Sequence, residues 1–164
     1  MDYLWTPWRS TYMKENRARS GCIFCEAVRG SDDRESLVVH RGQHCFVILN
    51  RYPYTSGHLM VAPYLHVSRL SQLDEPAAAE MMHLTRFAEK ALGEVYSPDG
   101  INLGMNMGEA AGAGIEQHIH MHVLPRWKGD ANFMTSVGQT RIIPEVLSDT
   151  WTKLHGVFQN LSTF

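Results

Sequence analysis

Three histidines at alternate positions constrain this chain more than any other feature: His118-Ile119-His120-Met121-His122-Val123-Leu124-Pro125-Arg126. The stretch reads as a buried β-strand. Side chains on a strand alternate between faces, so His118, His120 and His122 share one face at a repeat of roughly 7 Å. Ile119, Met121 and Val123 then point into a core on the other face. Each buried imidazole needs a hydrogen-bond partner, so three on one face are costly without a purpose. Three readings remain open at this point: a stripe of satisfied structural histidines, a tri-histidine metal site, or a nucleophilic imidazole held in one tautomer by its neighbours.

The chain has 164 residues, the size of one ordinary domain with its own core, and we read 1–164 as a single unit. Residues 1–21 form an irregular arm carrying Trp5-Thr6-Pro7-Trp8-Arg9, 22–134 the core, and 135–164 an extension with a helix. A formal net charge of −2 argues against a surface built to coat nucleic acid or seek a membrane. No apolar run approaches membrane-spanning length, and Met1 to Ser20 lacks a signal-peptide pattern. Three cysteines, two of them in Cys22-Ile23-Phe24-Cys25, do not make a disulfide framework, so we expect a cytoplasmic protein.

Strand-like runs occur at Ser36–His40, His44–Asn50 and His58–Pro63, with Arg41-Gly42-Gln43 as a tight turn between the first two. A helix fits Glu75 to Tyr96, capped by Asp74 with Pro76 in its first turn. Met82, Phe87, Ala91 and Val95 contribute to its apolar stripe, and Ser97-Pro98-Asp99-Gly100 stops it. Strands resume at Ile101–Met107 and at the histidine run. A last helix is expected from Pro144 to Leu161, with Leu147, Trp151, Leu154, Phe158 and Leu161 on one side as core or interface. The order β-β-β-α-β-β-α indicates an α+β domain with a mainly antiparallel sheet.

Gly108–Gly114 is dense in Gly and Ala, which suits close approach of backbone N–H groups to an anion, or simply a hairpin connection. Cys45 reads as a small buried hydrophobe. His40, His44, His83 and His155 read as surface or satisfied structural groups, and His58, after Gly57, is left without an assigned role.

The His-x-His-x-His run with Pro125-Arg126 resembles the histidine triad family of nucleotide hydrolases and transferases. Cys22-Ile23-Phe24-Cys25 is similar to the amino-terminal pair of many members. Phe46-Val47-Ile48-Leu49-Asn50-Arg51 and Gly57-His58-Leu59-Met60-Val61-Ala62-Pro63 resemble the family's nucleoside-binding strands. The resemblance covers about residues 22 to 134. Leu4-Trp5-Thr6-Pro7-Trp8-Arg9 and Pro125-Arg126-Trp127-Lys128-Gly129-Asp130-Ala131-Asn132-Phe133 look like the bacterial branch of ATP adenylyltransferases, or diadenosine tetraphosphate phosphorylases. The chain departs from the hydrolase pattern at Gly112-Ala113-Gly114-Ile115-Glu116-Gln117, where those enzymes usually carry Gln-Ser or Gln-Thr after the loop glycine.

The resemblance implies a five-stranded sheet with two main helices, paired across a homodimer. It implies His120 as nucleophile toward the α-phosphorus of a dinucleoside polyphosphate, with His122 in support and His118 as the third triad member. Asn50 would hold the ribose, the alternative being a strand-end turn former before Arg51-Tyr52-Pro53. Asn106, Gly112, Ala113, Gly114 and Gln117 would join His122 around the phosphate of a substrate carried as its magnesium complex. Phe46–Leu49 would supply a wall for the base, with much of it core, and Trp127 and Lys128 would reach the substrate's distal half, a packing or dimer role being equally open to Trp127. Phosphorolysis to ADP and ATP is the implied reaction. The rivals are hydrolysis of dinucleoside polyphosphates or nucleoside phosphoramidates, and a zinc-stabilised nucleotide-binding module. Some members build a closed zinc site from positions that match Cys22, Cys25, His66 and His118, which would turn His118 away from any tri-histidine metal and leave His120 free.

Overall fold

Five short segments build one antiparallel sheet in the order β1-β2-β3-β5-β4. The strands are β1 (Val38–Arg41), β2 (Cys45–Leu49), β3 (Leu59–Pro63), β4 (Gly100–Gly104) and β5 (Met121–Arg126). The helices are α1 (Ile23–Arg29), α2 (Asp33–Ser36), α3 (Glu75–Tyr96) and α4 (Leu147–Leu161). The computed structural model describes residues 21–130 and 145–161. The Trp-rich arm, Ala131 to Phe133 and the expected start of the last helix at Pro144 lie outside them. The result is the expected α+β architecture.

β2 and β3 are buried at every position because both faces of the sheet are covered. Cys45, Val47 and Leu49 pack with Leu59, Val61, Ile119, Met121 and Val123 beneath α3. Phe46, Ile48, Met60 and Ala62 form a second cluster on the opposite face with Phe24 of α1. Of the expected base wall Phe46–Leu49, therefore, Phe46 and Ile48 lie on the α1 face and Val47 and Leu49 belong to the main core.

α3 runs from Glu75 to Tyr96 as expected, and the Asp74 carboxylate accepts the Ala77 N–H at 3.0 Å. Such a cap is worth about 1 kcal/mol. Its buried stripe passes through Ala77, Met81, Leu84, Ala88, Ala91 and Leu92. Met82 is instead 52 % exposed, because Met81 takes the inward position one residue earlier.

Three boundaries differ from the sequence reading, each for a local reason. Asp32 caps a short turn by accepting the N–H groups of Arg34 and Glu35, and Leu37 follows at φ 65°, so β1 begins at Val38 rather than Ser36. β4 ends at Gly104 rather than Met107 because its partner pairs only as far as His122. His118–His120 precede the β5 ladder, although Ile119 still donates its N–H to the Val67 carbonyl at 2.7 Å. Helix α1 was not anticipated, since seven residues carry little periodicity.

Side chains from two helices, α3 and α4, finish the sheet. Glu80 on α3 accepts the N–H groups of Gln43 at 2.8 Å and Cys45 at 2.7 Å, and also that of His44. On β1, Trp151 Nε1 donates to the Val38 carbonyl at 2.7 Å and His155 Nδ1 to that of Val39 at 2.8 Å. Cys45 is buried, and burial pushes its thiol up to about 12, with Glu80 and Asp74 adding to the shift. His40 stacks on Phe158 and His83 meets Phe87 edge-on, which gives both a structural place.

Candidate active site and metal centre

The histidine run enters the sheet between β3 and β4, and its rings lean together. His120 and His122 have ring centroids 4.7 Å apart, closer than the strand repeat. His120 is 4 % exposed, His118 fully buried and His122 half-buried.

Hydrogen bonds fix the tautomer of each ring. His120 Nδ1 lies 2.9 Å from the His118 carbonyl oxygen, which can only accept, so Nδ1 carries the proton and Nε2 keeps its lone pair. Burial holds His120 below the ordinary imidazole range, so the ring is neutral near pH 7. A second chain of bonds ends at His122. The Tyr54 backbone N–H donates to His58 Nδ1 at 3.2 Å, which leaves the proton on His58 Nε2. That nitrogen donates to His122 Nδ1 at 2.9 Å, so the proton of neutral His122 sits on Nε2. Burial, then the neighbouring His122 and His120, bring His58 down to about 2. Burial, with His120 beside it, brings His122 down to about 4.

Asn50 closes this group. Its Oδ1 accepts the Tyr52 N–H at 3.0 Å, the bond of a strand-end turn, and its Nδ2 faces His58 Nδ1 at 3.3 Å. The Tyr54 ring lies over the pair, 4.8 Å from His58 and 6.2 Å from His122 between centroids.

The first histidine looks the other way. His118 Nε2 donates to the Pro63 carbonyl at 2.8 Å, which leaves Nδ1 as a bare lone pair. Nδ1 lies 3.3 Å from Cys22 Sγ, 3.7 Å from Cys25 Sγ and 3.3 Å from His66 Nδ1. Cys25 Sγ to His66 Nδ1 is also 3.3 Å. All four atoms fall within 4.8 Å of one another. A tetrahedral ion with bonds of about 2.3 Å to sulfur and about 2.0 Å to nitrogen sets its ligands roughly 3.3–3.8 Å apart, a range that holds the four distances given above. Burial and the adjacent Cys22 raise the Cys25 thiol above its ordinary range, a shift that a dication between the thiols would reverse. The donor set therefore fits zinc.

A profile of the HIT domain matches residues 32–129. This chain belongs to the HIT family. A protein of Mycobacterium tuberculosis named AP-4-A phosphorylase is 43 % identical over 155 residues, covering 90 % of this chain and 79 % of its own. The adenosine 5'-monophosphoramidase hnt1 of Schizosaccharomyces pombe is 28 % identical over 105 residues, 64 % of this chain and 74 % of that protein. Among solved structures, a zinc-bound histidine triad protein from Mycobacterium smegmatis superposes with a TM-score of 0.70 at 28 % identity, covering 87 % of this chain and 96 % of its own.

In this HIT chain the expected residues divide into those the fold gathers and those it leaves apart. The four metal-site residues and the His120–His122 pair are each brought together. The sequence alone assigns His58 no role, yet it is fully buried and anchors His122. Its signal in the sequence is a histidine opening an apolar strand directly after Gly57. That glycine adopts φ +78°, and a Cβ there would meet Leu92 and Tyr96 side-chain atoms at 2.9 Å.

The Gly/Ala loop is a 3-10 turn. Gly112 donates its N–H to the Glu109 carbonyl and Ala113 donates to that of Gly108, so both are committed within the turn, whereas that of Gly114 is not. Asn106 is half-buried and Gln117 exposed at the two ends of this stretch. Trp127 meets Tyr96 edge-on at 6.4 Å, and Lys128 donates its backbone N–H to Asp99 at 2.8 Å, so both residues help hold the end of β5.

Proposed function

We propose that this enzyme of the HIT family cleaves a dinucleoside polyphosphate of the diadenosine tetraphosphate type through a covalent adenylyl-His120 intermediate, with orthophosphate as acceptor. The observation that carries the reading is the tautomer of His120: Nδ1–H held by the His118 carbonyl, Nε2 unprotonated, and the ring neutral. An imidazole in that state is a competent nucleophile without a separate base.

In the first step the Nε2 lone pair attacks the α-phosphorus and the bond to the polyphosphate oxygen breaks, that oxygen leaving with the electron pair. His122 Nε2–H, fixed through His58, is suited to hydrogen-bond the phosphate or the departing oxygen. In the second step an oxygen of orthophosphate attacks the same phosphorus, the N–P bond breaks, and ADP leaves beside the ATP already released. With water as acceptor the product is AMP. His118 contributes through its carbonyl, which orients the nucleophile, rather than through its ring.

Asn50 would turn its remaining lone pair and amide proton toward the ribose. Asn106, Gln117 and the Gly114 N–H would bear on the phosphate oxygens, in a turn shaped by Gly112 and Ala113. Donors of that kind are typically worth about 3–4 kcal/mol each. The substrate is carried as its magnesium complex. Cys22, Cys25, His66 and His118 would hold zinc in a closed structural site, and zinc there supplies folding energy and fixes the ligands. Among the described residues no helix is long and apolar enough to cross a membrane, and reduced thiols of this kind suit the cytoplasm. A homodimer is supported by the exposed edge strand β4, where Leu103 is 51 % exposed.

Product analysis tests the reaction. Turnover of diadenosine tetraphosphate to ADP and ATP only when orthophosphate is present supports the proposal. AMP and ATP in either condition would make the protein a hydrolase, the reading favoured by its likeness to the phosphoramidase. His120→Ala should bind nucleotide and turn over none.

A further inference from the structure

The turn that carries the two thiols also carries an aromatic ring. Phe24 stands between Cys22 and Cys25 and is the one buried residue of α1. Its ring is 5.0 Å from that of His118 and 4.8 Å from that of His120, with Phe46 closing a third side at 6.4 Å. One ring thus touches both a residue of the four-ligand cluster and the nucleophile.

We infer that Phe24 is a positioning residue that couples metal occupancy at Cys22, Cys25, His66 and His118 to the orientation of the His120 ring. The inference rests on His120 being the nucleophile. A helix of seven residues is too short to hold itself, and Cys22 at its N-cap makes no side-chain cap bond. The first turn is held by the burial of Phe24 and, when an ion is bound, by the two thiols on either side of it. Ligation through both thiols pins the backbone that carries Phe24.

His120 itself has two restraints of different kinds. The bond from Nδ1 to the His118 carbonyl fixes one edge of the ring but permits it to swing about that bond. The face of Phe24 limits the swing, and therefore the direction of the Nε2 lone pair. In-line attack on phosphorus needs both. Loss of the ion would free the first turn of α1, loosen Phe24 and widen the range of His120 orientations, while the hydrogen bond persists.

The experiment uses the full chain, zinc alone as the added metal, and three readouts. These are zinc binding by competition with a chromogenic chelator, the ring resonances of His120 by NMR, and the single-turnover rate of adenylyl-His120 formation. In the wild type, zinc removal should shift the His120 resonances and lower the rate about tenfold with KM changed less than about twofold. Phe24→Ala should still bind zinc, but its rate should already be about tenfold lower, and neither rate nor resonances should then respond to the metal. Phe24→Leu keeps apolar volume in the site and should restore part of the metal response, and it carries the test should the alanine variant not fold. Wild-type resonances indifferent to zinc would overturn the coupling, as would a Phe24→Ala protein with the full wild-type response. A wild type that forms no adenylyl-His120 but shows the metal-dependent resonances would sink the proposed reaction and leave the coupling standing.

Discussion

His58 Nε2 and His122 Nδ1 lie 2.9 Å apart, and the donor in that bond is His58. The direction follows from the other end of the ring, where the Tyr54 N–H occupies Nδ1. One backbone amide therefore decides, through two imidazoles, which nitrogen of His122 is protonated.

Replacing His58 should damage chemistry more than binding. In His58→Phe the His122 Nδ1 loses its donor and the tautomer is no longer imposed. We expect kcat to fall about 10²-fold with KM nearly unchanged, the scale of a lost acid–base group. Steady-state kinetics decide the point, and an unaltered kcat would remove His58 from the mechanism.

Acid should weaken this fold from an unusually high pH. His58 titrates near its ordinary 6.5 when unfolded but only at about 2 when folded, and His122 at about 4. Below 6.5 the unfolded chain takes up protons that the folded chain refuses, so stability is complete above that value and declines beneath it. Each such histidine contributes a slope approaching about 1.4 kcal/mol per pH unit. Urea midpoints at several pH values should show the decline, and it should be shallower in His58→Phe.

The same shifts place the acid limb of the reaction. Because burial keeps His120 below the ordinary imidazole range, its Nε2 stays unprotonated at pH values where a free imidazole would be charged. The acid limb of kcat/KM should therefore lie below about 6.5. A limb above that value would mean another group controls the rate.

Glu80 is held below the usual carboxylate range: burial would raise it, but the backbone N–H groups of Gln43, His44 and Cys45 outweigh that effect. Glu80→Ala leaves these donors without their acceptor. A loss of about 2–4 kcal/mol is expected, measurable by denaturant unfolding.

Gly57→Ala should cost about 2 kcal/mol or more, since its positive φ disfavours any side chain and the added methyl meets Leu92 and Tyr96. The shift would be transmitted to His58, so kcat should fall in parallel. A stable variant with wild-type kcat would show that the neighbours yield without moving the strand.

Much of this site can be read from residue spacing. The His118–His122 alternation and the Cys22–Cys25 pair are local patterns, and each survived as geometry. The missing parts are those that depend on what folding brings near. Glu80 binds backbone amides more than thirty residues away, which leave no mark on side-chain sequence. The role of His58 depends on the partner of each nitrogen, which no spacing encodes. The hydrogen bonds of Gly112 and Ala113 are internal to a turn, so counting glycines overstates the donors available to a phosphate.

Trp151 and His155 occupy the carbonyls of Val38 and Val39 on the outer strand β1. Those two carbonyls are thereby withdrawn from pairing with another chain, while β4 on the far side remains exposed among the described residues. A sheet that can accept a neighbour at one end alone cannot propagate. Were two copies to add strand to strand at β4, the two side chains of the last helix at β1 would favour a closed pair over a growing filament.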